Sequence, residues 1–183
     1  MTEQEQLKYI NKECEKNYTS LDEVNWFYIS WYTNLSENFI RKFKDEINWH
    51  CVSECQKLSE SFIKECQDRV NWLLISRHQK LSESFIIEFT DKLDWYEISK
   101  YQTLSEPFII EFQDKVSWYL ISRYQTLSEN FIKEFKDKVD WYSISRYQNL
   151  SKEFLREFQD KIDWRSLFMR KDMEQKLINF ILN

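Results

Sequence analysis

The sequence predicts an all-α fold, an α-solenoid of stacked two-helix 23-residue repeats, on three observations. First, Trp26, Trp49, Trp72, Trp95, Trp118, Trp141 and Trp164 lie 23 residues apart, and Leu35, Leu58, Leu81, Leu104, Leu127 and Leu150 keep the same step. A period in this range marks a solenoid, a propeller or an array. Second, each period carries two helix starts. Ser36 and its equivalents form one ladder, and Asn25, Asn48, Asn71, Asp94, Ser117, Asp140 and Asp163 form another just before each Trp. All are side chains whose oxygen can accept from a free first-turn N–H. Third, the chain has no glycine, which weighs against tight β-turns and hairpins, and the strand pattern of leucine-rich repeats is absent.

Taken in order, residues 3–17 read as a helix with Leu7, Ile10 and Cys14 on one side, capping the first repeat. Residues 19–34 hold a degenerate repeat whose second half, Asn25 to Asn34, fits well. Six full repeats run over 35–172, and 173–183 is a half-repeat, the whole 1–183 forming one repeat domain. Within a repeat, 36–47 and 49–57 are the expected helices, called helix A and helix B below. On helix A, Phe39, Ile40, Phe43 and Ile47 span an arc of about 100°, the width of a buried face. Pro107 sits in a first turn, where its missing N–H is not needed. Glu65–Arg69, Glu88–Lys92, Glu111–Lys115, Glu134–Lys138 and Glu157–Lys161 are set for i,i+4 pairing on an exposed face. The Ser ladder and the Asp ladder from Asp22 to Asp160 read as helix caps. Trp118 is expected to be largely buried between repeats. At the far end Leu177, Ile178 and Ile181 read as a closing helix, with Phe180 and Leu182 adding apolar surface; the rival reading is an exposed dimer contact, which leaves the oligomeric state open.

One repeat cannot fold alone, because its few large apolar side chains do not offset the ordering of its backbone, so neighbours must stack. The 31 acidic against 26 basic residues give a net charge of −5, an ordinary solvated acidic surface rather than a general nucleic-acid binder. The polar start MTEQEQ is not a secretory signal, and no apolar run approaches membrane-spanning length. Four unevenly placed cysteines fit a reducing, cytoplasmic setting.

The candidate site follows from the helix B wheel. With Trp at 0°, Ile, Ser and Gln of tetrads such as SRYQ share the buried side, where Ser reads as a small residue allowing close approach. The basic residue and the residue after Trp fall on the outer side. They form one rung per repeat: Phe27/Trp31, His50/Glu54, Leu73/Arg77, Tyr96/Lys100, Tyr119/Arg123 and Tyr142/Arg146. Aromatic plus Arg is the composition of binding hot spots; the plain alternative is Tyr stacked locally over the basic side chain. Ile87 and Ile110 stand where most repeats have Arg or Lys, as an added contact patch or as inter-repeat packing. Cys14, Cys51, Cys55 and Cys66, with His50, fall in the N-terminal third. Core thiols are the favoured reading over zinc, which needs about four convergent ligands. No metal and no cofactor are expected. No P-loop, dinucleotide fingerprint, HExxH or nucleophile elbow is present, so no catalytic residue is assigned and an enzyme is not expected.

The repeat, running as W-x-x-I-S-x-Y-Q-x-L-S-x-x-F-I-x-E-F-x-D-K-V-D over about residues 21–172, resembles the short repeats of uncharacterised proteins encoded by large DNA viruses and bacteriophages. That resemblance implies a virus–host setting, and the Ile-, Lys-, Asn-, Phe- and Tyr-rich, glycine-free composition agrees with an AT-rich genome. The expected function is a protein-interaction module, in one version blocking a host defence protein. The alternative is single-stranded nucleic-acid binding through the same stripe, one rung per base.

Overall fold

The computed structural model of the chain describes residues 2–170. Among these, 14 α-helices and one 3-10 turn, Leu21–Glu23, are present, and there is no strand. The fold is an α-solenoid of stacked two-helix repeats. The chain divides into two compact bodies, Met1–Asp94 and Trp95–Asn183. No helix among the described residues is long and apolar enough to cross a membrane. The expected closing helix at Leu177, Ile178 and Ile181 lies outside the described residues.

The first body opens with α1 (Glu3–Cys14). Helix B follows as α2 (Trp26–Tyr32), α4 (Trp49–Cys55) and α6 (Trp72–His78), and helix A as α3 (Glu37–Lys42), α5 (Glu60–Glu65) and α7 (Glu83–Glu88). In the second body helix B is α8 (Trp95–Tyr101), α10 (Trp118–Tyr124), α12 (Trp141–Tyr147) and α14 (Trp164–Phe168). Helix A there is α9 (Glu106–Glu111), α11 (Glu129–Glu134) and α13 (Lys152–Glu157). Inside each body helix B packs on helix B: α2 on α4 on α6, and α8 on α10 on α12 on α14.

Both cap ladders act where the sequence puts them. Ser36, Ser59, Ser82, Ser105, Ser128 and Ser151 each accept from the N–H three residues on, at a Phe. Asn25, Asn48, Asn71, Asp140 and Asp163 do the same for helix B. Ser117 caps α10 by position, without a side-chain bond. In the first body α1 closes the stack, burying Ile10 and Cys14 against Val24, Ile29 and Phe39; its Tyr9 stacks on Phe39 at 5.9 Å.

Helix A is shorter than the expected 36–47. It stops at Lys42, Phe43 adopts φ −112 and ψ 31, and a turn follows in which both Glu46 N–H and Ile47 N–H donate to Phe43 O. The turn keeps an i→i+4 step, so Phe43 and Ile47 stay buried, and the apolar periodicity is the same as for an unbroken helix. Asp45 lies in this turn. The Asp ladder is therefore a turn ladder and not a cap ladder, which suits a side chain that competes with helical backbone bonds. The break also removes the i,i+4 pairs. Arg69 bonds Asp45 at 2.7 Å rather than Glu65, whose carboxylate takes Arg41 at 2.8 Å. Glu88 takes Lys64, and Glu157 takes Lys133 at 2.6 Å. The pairs join one repeat to the next instead of running along one helix.

Ser and Gln of the tetrads hold the stack through hydrogen bonds, so the small-residue reading of Ser is incomplete. Ser122 is fully buried; its hydroxyl donates to Trp118 O at 2.7 Å and accepts from Asp140 N–H of the next repeat at 2.9 Å. Ser30, Ser53, Ser99 and Ser145 make the same pair of bonds. Gln56 reaches back across a repeat: its Nε2 donates to Ser30 O and Thr33 O, and its Oε1 accepts from Leu35 N–H. Gln125 and Gln148 repeat this clamp. The last carbonyls of a helix have no partner within it, and glycine commonly solves this with a left-handed cap. Here Thr33, Gln56 and Gln125 leave the helix in extended backbone, and the next repeat's Gln supplies donors to the open carbonyls. This accounts for a helical protein without glycine.

Each Trp of the ladder keeps part of its surface exposed while most of it is covered. Trp118 does lie between repeats, stacked on Phe131 at 6.1 Å and Phe135 at 5.2 Å of the following helix A and turn. Trp72, Trp95 and Trp141 form the same three-ring clusters. Trp49 stacks on Phe62 alone, because Cys66 stands where the others have the second Phe. Cys66→Phe is expected to complete that cluster and stabilise the chain by about 0.5–1.5 kcal/mol, the worth of an aromatic pair. A thermal melt would show a rise of a few degrees; a lower melting temperature would mean that the site is already full.

Candidate functional site

Helix B is seven residues long, and the wheel divides it. In α10, Leu120, Ile121 and Ser122 are buried, Tyr119 and Tyr124 are exposed, and Arg123 is half-buried between them. Arg123 Nη1 donates to Tyr119 Oη at 2.8 Å. The guanidinium lies over the Tyr124 ring at 5.3 Å and over Tyr147 of the next repeat at 4.8 Å. One repeat earlier the Lys100 ammonium lies over Tyr101 at 4.8 Å and Tyr124 at 5.6 Å. The result is an alternating ladder in the second body: Tyr101, Lys100, Tyr124, Arg123, Tyr147.

The hydrogen bond with Tyr119 holds Arg123 above the usual arginine range, and the bond with Tyr101 raises Lys100 likewise. Both cations therefore stay charged at physiological pH. Neither has a carboxylate within ion-pairing distance among the described residues, nor does Arg146, whose Nη1 donates to Ser166 O at 3.3 Å. On the helix A and turn side Lys92 and Lys138 bond Gln67 and Gln113, but several other cations pair with acids. There Arg41, Lys64, Arg69, Lys133 and Lys161 each pair with an acid of a neighbouring repeat. An exposed ion pair contributes little to stability, but it neutralises the face. Lys100, Arg123 and Arg146 have no such acid partner among the described residues, on a protein of net charge −5.

The named candidates fall as follows. Tyr96, Tyr119 and Tyr142 are 56%, 46% and 49% exposed. Tyr142, Arg146 and Tyr147 line an open cavity of about 510 Å³ with Asp163, Arg165 and Met169. In the first body the stripe has another character. Phe27 stacks on the half-buried Trp31 at 6.0 Å, Tyr28 lies 4.9 Å from Tyr32, and Lys16 covers Tyr28 at 5.0 Å. His50 and His78 both face Glu54, at 3.6 and 4.0 Å. Leu73 and Arg77 are exposed. The structure thus brings Tyr119 and Arg123 into direct contact, and gathers Phe27 and Trp31 into an aromatic cluster.

Sequence reasoning missed Tyr101, Tyr124 and Tyr147, which are 42%, 46% and 43% exposed and form the second wall of the ladder. The wheel hides them: six positions after Trp it stands at about 240°, between the buried Leu120 and Ile121 positions. Ile87 and Ile110 are both exposed, at 46% and 37%.

The cysteines are four free thiols: Cys14 and Cys51 buried, Cys66 half-buried and Cys55 exposed. Among the described residues no group of three or more His, Cys, Asp or Glu is arranged to hold a metal ion. Burial, seconded by Glu13, pushes the Cys14 thiol up to about 11, and burial raises Cys51, Cys55 and Cys66 as well. Thiolate is the reactive form, so alkylation at neutral pH is expected to be slow everywhere and fastest at Cys55. Cys14 and Cys51 should label only on unfolding. Mass mapping that finds Cys14 modified first in the folded protein would contradict this packing.

Compared with protein-family models, curated proteins and solved structures, the chain matches none.

Proposed function

We propose that this chain is a non-enzymatic protein–protein interaction module that docks its partner on the Tyr–cation face of α8, α10 and α12. The observation that carries the reading is the charge contrast between its two sides. In the second body the helix A side pairs Lys133 and Lys161 with neighbouring acids and sets Lys138 on Gln113 and the Trp118 ring, whereas Lys100, Arg123 and Arg146 all meet aromatic rings or backbone. Tyr and Arg held rigidly side by side are the residues that dominate binding energy in protein interfaces. Stacking also limits the side-chain entropy lost on docking. The viral resemblance suggests a host protein in the cytoplasm as partner, a defence protein being one concrete case.

The test is partner capture by the full chain carrying Tyr119→Ala, Arg123→Ala, Tyr142→Ala and Arg146→Ala. Capture should fall by more than tenfold, since a single hot-spot residue is worth about 2 kcal/mol or more, while helicity stays intact. The control changes Glu111, Lys115, Glu134 and Lys138 to Ala on the helix A side. If the control set abolishes capture and the ladder set does not, the function lies on the other face. Affinity that collapses steeply with added salt would favour single-stranded nucleic acid as the occupant, because phosphate contacts release counterions.

A further inference from the structure

The ring spacing of the ladder narrows the chemistry of its partner. Arg123 lies 5.3 Å from the Tyr124 centroid and 4.8 Å from that of Tyr147, so those rings are at most about 10 Å apart. Lys100 sets nearly the same limit between Tyr101 and Tyr124. The recurring rung is therefore a cation flanked by two exposed rings, repeating at about the 8–10 Å spacing of packed helices.

We propose that this ladder binds an acidic polyproline II segment with a carboxylate at every third residue. The proposal rests on the interaction-module reading above and names the partner's chemistry. Polyproline II brings every third side chain onto one face after about 9.3 Å, inside the spacing of about 8–10 Å between packed helices. An extended strand returns to the same face after two residues, about 6.7 Å, and would place its acids out of step after one rung. Two turns of α-helix advance about 10.8 Å, beyond both limits. Charge complementarity selects the acids, because Lys100 and Arg123 have no carboxylate of their own among the described residues. The aromatic rings suit the polyproline backbone, whose ridges dock into aromatic-lined grooves in other folds. Its carbonyls are unpaired acceptors, and Tyr119, which accepts from Arg123, keeps its own hydroxyl proton to donate.

The experiment is fluorescence anisotropy of the full chain against labelled peptides. One peptide repeats Glu-Pro-Pro, a second carries the same number of glutamates in Glu-Pro doublets, and a third repeats Lys-Pro-Pro. The triplet acidic peptide should bind at least about tenfold more tightly than either of the others. Lys100→Gln with Arg123→Gln, both surface changes, should weaken it by a further factor of about ten or more, while Lys133→Gln with Lys161→Gln leaves it unchanged. Equal binding of the two acidic spacings overturns the proposal, as does no binding of the triplet peptide. Tighter binding of a single-stranded oligonucleotide than of any peptide overturns it in favour of nucleic acid. If the peptides fail while the Tyr119/Arg123/Tyr142/Arg146 set still loses partner capture, the interaction surface stands and only its polyproline occupant falls.

Discussion

Gln125→Leu is expected to destabilise the chain by about 3–6 kcal/mol. Gln125 is 6% exposed. Its Nε2 donates to Ser99 O at 3.0 Å and Gln102 O at 2.8 Å, and its Oε1 accepts from Leu104 N–H at 3.0 Å. Leucine has nearly the same size, so the loss is not a cavity. It leaves two carbonyls and one N–H buried without that partner, and each such group costs about 1–3 kcal/mol. Gln125→Glu separates the two halves of the clamp. It keeps an acceptor for Leu104 but sets a carboxylate oxygen against two carbonyls, so it should be no better than leucine at neutral pH. Urea denaturation monitored by helicity measures both. A loss below about 1 kcal/mol for Gln125→Leu would mean that the clamp is not what joins consecutive repeats.

The same residue shows where the sequence is legible and where it is not. Periodicity alone fixes two helices per repeat, because Ser128 and Asp140 are cap-forming types at a constant step and both act as caps. The wheel puts Gln125 and Ser122 inside, and they are inside. What it cannot give is why a buried glutamine is tolerated, since its partners lie 21–26 residues away in sequence. The break after Lys42 is hidden for a different reason: a hydrogen-bonded turn from Phe43 to Ile47 has the same apolar spacing as a helix. Once that break is unseen, Glu65–Arg69 looks like an intrahelical pair, and the real partners, Arg41 with Glu65 and Asp45 with Arg69, are 24 residues apart. For the candidate site, the outer positions of Tyr119 and Arg123 are readable from the wheel. The stacking of Arg123 on Tyr147 depends on how α10 and α12 meet, and no pattern within one helix contains it.

The second large effect concerns the aromatic cluster, where burial and not ring size sets the order. Phe131→Ala is expected to cost about 3–5 kcal/mol, the range for deleting a large buried side chain. Phe131 is 3% exposed and touches both Trp118 and Phe135, with centroids at 6.1 and 4.8 Å. Trp118 is the larger residue but keeps an exposed edge. Its Nε1 donates to Gln113 O at 3.0 Å near the surface, and the Lys138 ammonium covers its ring at 5.6 Å. Water can reach part of the space left by Trp118→Ala, so its cost should fall to about 2–3 kcal/mol, made up of its stacking pairs and the apolar area it covers. Chemical denaturation of the two variants tests the order directly. If Trp118→Ala proves the more damaging by more than about 1 kcal/mol, the tryptophan ladder and not the phenylalanine ladder is the spine of the stack, and the partly exposed position of the indole is wrong.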